Sequence, residues 1–160
     1  MMSVEKNKEL VARMIEGLND HRIEGGEAFW SEDMIWRGPA GIGTKHSLKQ
    51  YQEEHQHPFL HAFPDKKAFD EIRIAEGDYV AATGYQQATH SGDWLGILAS
   101  GVPVKVRYMD FWRVEGDKLV ENWVLIDILD FLEQVGYDVE NVLKFIGSKP
   151  PSFFDEVETD

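Results

Sequence analysis

The feature that most limits what this chain can fold into is a change of hydrophobic period near residue 65. Before it, apolar residues recur at helical spacing; after it, they alternate as strands require. Val4, Leu10, Val11, Met14, Ile15 and Leu18 share one side of a 3.6-residue repeat, which predicts a helix over Val4–Asn19 with Ser3 as its cap. A second helix is expected from the capping Ser47 to about His61, ending before Phe63-Pro64 because proline disfavours helical geometry in the residue ahead of it. Between them lie a turn-rich connection with a short helix near Glu27–Trp30, a short strand at Met34–Arg37, and the loop "GPAGIGTKHS", whose glycine spacing is not that of a phosphate loop.

Beyond the change, "KAFDEIRIAEGDYVAATGYQQATHSG" reads as two strands around Glu76-Gly77-Asp78. "VPVKVRYMDFWRVEGDKLVENWVLID" reads as two more around Glu115-Gly116-Asp117-Lys118. A short helix over Asp127–Val135 follows, with Gly136 as its stop, and the tail from Ser148 is expected to be loosely held. Helices first and a meander of long strands afterwards imply an α+β class: a cone-shaped barrel in which helices pack on one face of a curved antiparallel sheet. A chain of 160 residues, 42% hydrophobic, sustains one buried core, expected over residues 1–147 with a tail at 148–160.

A formal charge of −13 repels phosphate backbones and anionic lipid, so nucleic acid and membrane surfaces are not expected partners. The chain has no cysteine, which rules out disulfides, thiolate metal sites and cysteine nucleophiles. The charged, periodic start and the lack of an apolar run of membrane length lead to the expectation of a cytoplasmic protein.

Centring the last hairpin on Gly116-Asp117 sets Asp110 opposite Trp123, Trp112 opposite Glu121, Tyr108 opposite Leu125 and Val106 opposite Asp127. In that register Tyr108, Asp110, Trp112, Glu121, Trp123 and Asp127 share a face with the makeup of an aromatic pocket carrying a few acids. Trp36, in the short strand, joins them as a candidate pocket residue. The opposite face mixes basic and apolar residues and suits a partner subunit. A one-residue slip would exchange the two faces. Asp127, at the join of strand and helix, has two compatible readings. It caps the helix, or it is an acid whose pKa rises in an apolar cavity until it exchanges protons near neutrality.

An ordered series of segments resembles the SnoaL-like polyketide cyclases (ester cyclases) of the nuclear transport factor 2-like superfamily. These are "FPD" at 63–65, "EGD" at 76–78, "THSGDWLG" at 89–96, "ASGVPVKV" at 99–106 and "GDKLVENWVLIDILDFLEQVG" at 116–136. The resemblance implies a cone-shaped barrel, usually a homodimer, with a deep apolar cavity and no metal or organic cofactor. It also implies acid/base chemistry of the intramolecular aldol type on a cyclic, aromatic or polycarbonyl small molecule. The match places the acid/base at Asp127, with His90, Tyr108 and Trp123 donating to oxygens or packing on rings. Two departures bear on the substrate: Asn122 stands where the family often has His, and "GILASGVPV" lacks the usual Pro, Thr and Arg.

His46, His55, His57 and His61 crowd into sixteen residues, but the segment lacks the acidic partner of a zinc-helix motif, and no metal is expected there. His90 is the stronger pocket candidate. Two other function classes fit the same residues. A cone-fold isomerase, dehydratase or epoxide hydrolase would need a close pair of positioned groups, such as Asp110 or Asp127 with Tyr108. A non-catalytic binding or dimeric interaction domain would go with a narrow cavity and an Asp127 turned into its helix.

Overall fold

The computed structural model describes residues 3–156. The predicted first helix is α1, Val4–Asn19, and Ser3 caps it by accepting a hydrogen bond from the Lys6 amide at 3.3 Å. After a short 3-10 turn at Gly26–Ala28 come β1 (Trp30–Arg37) and β2 (Thr44–Lys45). The second predicted helix is one rod of three segments: α2 (Leu48–Tyr51), a π-helical stretch (Gln52–Gln56) and α3 (His57–Ala62). The wide turn, with the His57 amide bonded five residues back to Gln52, carries the helix into Pro58, whose missing N–H and bulky ring disturb an ordinary α-turn. It also turns two consecutive polar residues, His55 and Gln56, into the interior.

The meander follows as β3 (Lys67–Glu76), β4 (Tyr79–Thr89), β5 (Pro103–Glu115) and β6 (Lys118–Ile126), with both hairpin turns where the sequence places them. The sheet runs β2-β1-β6-β5-β4-β3. It is antiparallel except for β1 against β6, which run parallel. Its pairing shifts at three places, in β3 between Asp70 and Ile72, in β6 opposite Arg113 and Val114, and in β1 between Trp30 and Ile35, and these irregularities help to bend it into a cone. Opposite the first bulge, Gly84 allows β3 to approach, since a Cβ there would stand 1.9 Å from the Phe69 carbonyl oxygen.

Helix α1 lies across the concave face. Leu10, Val11, Met14 and Ile15 pack with Met34, Val80, Trp112, Val114 and Leu119 in the main core, and each such side chain contributes roughly 1.5–3 kcal/mol of burial. Asn19 fixes the end of α1 to β3 by bonding Ala68 twice, donating to its carbonyl at 2.9 Å and accepting from its amide at 2.7 Å.

Helix α4 is Ile128–Gln134, and α5 (Val139–Gly147) comes after it, where the sequence reading expected no element. Its signals are the capping Asp138, which accepts from the Asn141 amide at 3.0 Å, and the spacing of Val139, Val142, Leu143 and Ile146. Part of the expected tail forms a 3-10 turn at Pro151–Glu156, and residues 157–160 lie outside those described. Among the described residues no helix is long and apolar enough to cross a membrane.

Candidate functional site

The hairpin turn has the expected pairing, with Glu115 opposite Lys118 and Val114 opposite Leu119. The next pair is Arg113 with Glu121, so Val120 is an extra residue in β6. From there the expected register is displaced by one, which corrects the predicted pairs. Asp110 faces Val124, Trp112 faces Asn122, Tyr108 faces Ile126, and Trp123 lies opposite Phe111. The inner face of β5 is as predicted, whereas the two sides of β6 are exchanged.

The inner cavity is bounded by α1, the π-helical segment, α3, β1 and the inner faces of β5 and β6, and has a volume of about 90 Å³. Of the residues singled out in the sequence, Tyr108, Asp110, Trp112 and Trp36 line it. Glu121 and Trp123 do not, because the Val120 bulge turns them outward. There Glu121 is ion-paired with Arg37 at 2.6 Å and with Arg113 at 3.3 Å, and the Arg37 guanidinium sits 5.8 Å from the Trp123 ring.

Asp127 also lies off the cavity lining. It sits one residue past β6, where its carboxylate caps α4 by accepting from the Asp130 amide at 3.1 Å. His90 is fully buried in a second cluster, stacked on Phe63 with centroids 5.3 Å apart and edge-on to Phe131 at 5.0 Å. Its Nδ1 meets Ser100 Oγ at 3.1 Å and accepts from the Ser100 amide, and burial lowers its pKa. The chain leaves β4 at Thr89 and turns away from the cavity, which carries His90 with it.

The polar groups of the cavity come from three directions. From β5, Asp110 receives a 3.0 Å hydrogen bond from Asn122 Nδ2, which also donates to the Phe111 carbonyl. No lysine or arginine among the described residues stands within ion-pair distance of Asp110. Burial chiefly pushes its carboxyl up to about 7; the Asn122 bond and the charge of Lys66 oppose this, and nearby Asp70 adds to it. The neighbouring acid is held differently. Asp70 is paired with Arg73 and also accepts from the Tyr108 hydroxyl, and burial, ahead of that bond, raises the Tyr108 pKa.

From the helical rod, His55 stacks on Trp36 with centroids 4.3 Å apart. Burial, then the charges of Lys66 and Lys45, brings His55 down to about 3, so its imidazole is neutral at pH 7. Beside it the buried Gln56 Oε1 has no hydrogen-bond partner among the described residues. From the turn after α3 comes Lys66, also buried, which burial brings down to about 8.

Gln56 and Lys66 were not singled out in the sequence, His55 was read only as one of a histidine cluster, and Asn122 was placed on the opposite face of the hairpin. Their only signals were polar types at inward positions, and the π-turn and the bulge hide those positions. The remaining histidines of the cluster, His46, His57 and His61, are exposed. Gly38 shapes the far wall, since a Cβ there would stand 2.0 Å from the Trp36 ring.

A curved sheet closed by helices around one polar-lined cavity defines the class, and the sequence profile of the SnoaL-like polyketide cyclases matches residues 8–135. The chain belongs to that family. Helix α5 lies beyond the matched region. AclR from Streptomyces galilaeus, provisionally assigned as a hydroxylase, is similar with 26% identity, a TM-score of 0.73, and coverage of 84% of this chain and 98% of its own. IdmH from Streptomyces antibioticus, provisionally assigned as a polyketide cyclase, shares 22% identity over 82% of this chain and 99% of its own, with a TM-score of 0.73. A SnoaL-like cyclase, also provisionally assigned, from Jannaschia sp. CCS1 shares 16% identity over 84% of this chain and 95% of its own, with a TM-score of 0.75. At those last two identities the likeness is one of fold. No curated protein matches the chain.

Proposed function

We propose that the protein is an acid/base enzyme of the polyketide-cyclase type, acting on a small carbonyl compound, and that Asp110 moves the proton. The observation that carries this reading is a carboxyl group in an aromatic cavity, held by Asn122, without a paired cation and poised near neutrality. Such a group serves as base in its ionised form and as acid in its protonated form at the same pH. Removal of a proton alpha to a carbonyl is the first step of both aldol closure and double-bond isomerisation. The Lys66 ammonium is the group available to the resulting oxyanion, because the single Tyr108 O–H is already donated to Asp70.

The cavity is smaller than the ~150 Å³ space that accommodates benzene in an engineered apolar core. A compact mono- or dicarbonyl substrate therefore suits it better than a multi-ring polyketide, which would need side chains such as Phe59 and Leu60 at the rim to move aside. Proton-deuterium exchange at the alpha carbon, followed by NMR over a panel of small ketones and diketones, tests the reading. Asp110→Asn is expected to slow exchange by about 10²–10⁴-fold and to abolish a rate limb centred near pH 7. Tight binding with no exchange in the wild type would leave a binding domain instead.

We also infer that the outer sheet face pairs with a second copy. Phe69, Ile72, Ile74, Tyr79, Met109, Phe111 and Leu125 are between 47 and 63% exposed there, on four adjacent strands, a patch of the kind that marks interfaces. Sedimentation velocity should give twice the chain mass, with Leu125→Glu reducing it to one chain.

A further inference from the structure

The structure sets two buried lysines in contrast. Lys45, 8% exposed, is neutralised by Glu54 at 2.9 Å. Lys66, 6% exposed, lines the cavity, and its ammonium makes no hydrogen bond or ion pair with any described residue. A buried ammonium without a counter-ion is costly and is normally paired or discharged. The main chain holds it in this position. The Lys66 amide bonds the Phe63 carbonyl at 3.1 Å across the turn after α3, and the Lys66 carbonyl meets His21 Nε2 at 2.7 Å. The backbone is thus pinned on both sides while the side chain enters the space that Asp110 enters from β5.

We propose that Lys66 is a nucleophilic amine that forms an imine with the carbonyl carbon of the substrate, with Asp110 moving the protons. The proposal deepens the acid/base reading of the same cavity and rests on it. The Nζ lone pair forms the C–N bond while the carbonyl oxygen takes the Asp110 proton. The new ammonium returns a proton to the Asp110 carboxylate by way of the carbinolamine hydroxyl, which lies between the two side chains, and a second transfer from Asp110 to that hydroxyl expels water. This leaves an iminium and an Asp110 carboxylate, which removes the alpha proton to give an enamine. The enamine carbon attacks a second carbonyl, whose oxygen takes the proton held by Asp110, and water then hydrolyses the iminium to the product carbonyl and the free amine, the remaining proton returning to the Asp110 carboxylate. Each step needs one partner to hold a proton that the other lacks. Burial lowers the proton affinity of the lysine and raises that of the acid, which brings the two closer together. Gln56, whose amide oxygen lacks a partner, is placed to accept from the carbinolamine hydroxyl or the substrate.

Acetylacetone is the probe, because its adduct with an amine is a vinylogous amide that survives without reduction. Intact mass and peptide mapping of the wild-type protein should show one adduct, on the peptide that carries Lys66. The adduct should be lost in Lys66→Arg, which keeps the charge and should show the wild-type thermal transition. Adducts spread over surface lysines, or none on Lys66, overturn the proposal, and this wild-type readout does not depend on any variant folding. Alpha-proton exchange separates the two readings. If Lys66→Arg exchanges at the wild-type rate while Asp110→Asn does not exchange, the imine is overturned and Asp110 stands. If Lys66 is labelled and Asp110→Asn exchanges normally, the Asp110 reading fails and the amine chemistry stands.

Discussion

The two faces of the β5–β6 hairpin are made by alternate residues of the same strands, yet they differ in kind. The inner face, with Tyr108, Asp110, Trp112 and Asn122, holds its acid by an amide hydrogen bond and without an ion pair. The outer face, with Phe111, Glu121, Trp123 and Leu125, fixes its acid between two arginines and leaves its apolar side chains open. Glu121 and Asn122 are adjacent in sequence and both buried, one an ion-pair partner of two arginines and the other a hydrogen-bond donor to the buried Asp110 carboxyl. An acid's surroundings, more than its presence in a strand, determine which of these roles it takes.

The sharpest way to break this contrast is to delete Val120. Removing the extra residue would turn Glu121, Trp123 and Leu125 inward and Asn122 and Val124 outward. The expected loss exceeds about 4–5 kcal/mol, seen as the absence of a cooperative thermal transition by circular dichroism. A stable, folded deletion variant would show that the bulge does not set the faces.

Asp110→Asn should change the pH dependence of stability by about 1–2 kcal/mol between pH 4 and 7, once solvent screening is allowed for. The folded pKa of Asp110 lies near 7, above its unfolded value, so its contribution is fully present below ~3.9 and is lost as pH rises through about 7. His55 works in the opposite direction. Its folded value is about 3, so its contribution is present above ~6.5 and is lost as pH falls. Urea titrations of the variant should therefore show stability rising with pH between 4 and 6.5, where the wild type is flatter.

The smallest expected effect, about 1 kcal/mol of stability, belongs to Asp127→Ala, with alpha-proton exchange unchanged. A rate loss as large as that of Asp110→Asn would return the acid/base role to Asp127.

Much of the fold was legible because its signals are local. Periodicity gave α1, the helical rod and the meander, Gly77 and Gly116 marked the turns, and Ser3 and Ser47 the caps. Helix α5 was equally readable from Asp138 and its apolar spacing, and was overlooked. The site was less accessible. Tyr108, Asp110 and Trp112 share a face by simple alternation along β5 and line the cavity, as does Trp36 of β1, which no alternation argument placed there. Glu121 and Trp123 were misplaced because nothing in "KLVENW" marks Val120 as an extra residue; valine suits a regular strand as well as a bulged one.

What the sequence determined by itself is the α+β class, the order of the elements and the supply of acids, rings and amines. Which of them meet was decided only in the tertiary structure. Lys66 and Lys67 are identical neighbours in sequence, and only the turn after α3 sends one into the cavity and the other to solvent. Asp110 and Asp127 are likewise the same residue type. One is desolvated by packing from distant segments and the other satisfied by an amide three residues away. Desolvation is a sum over neighbours far apart in the chain, and no local pattern encodes it.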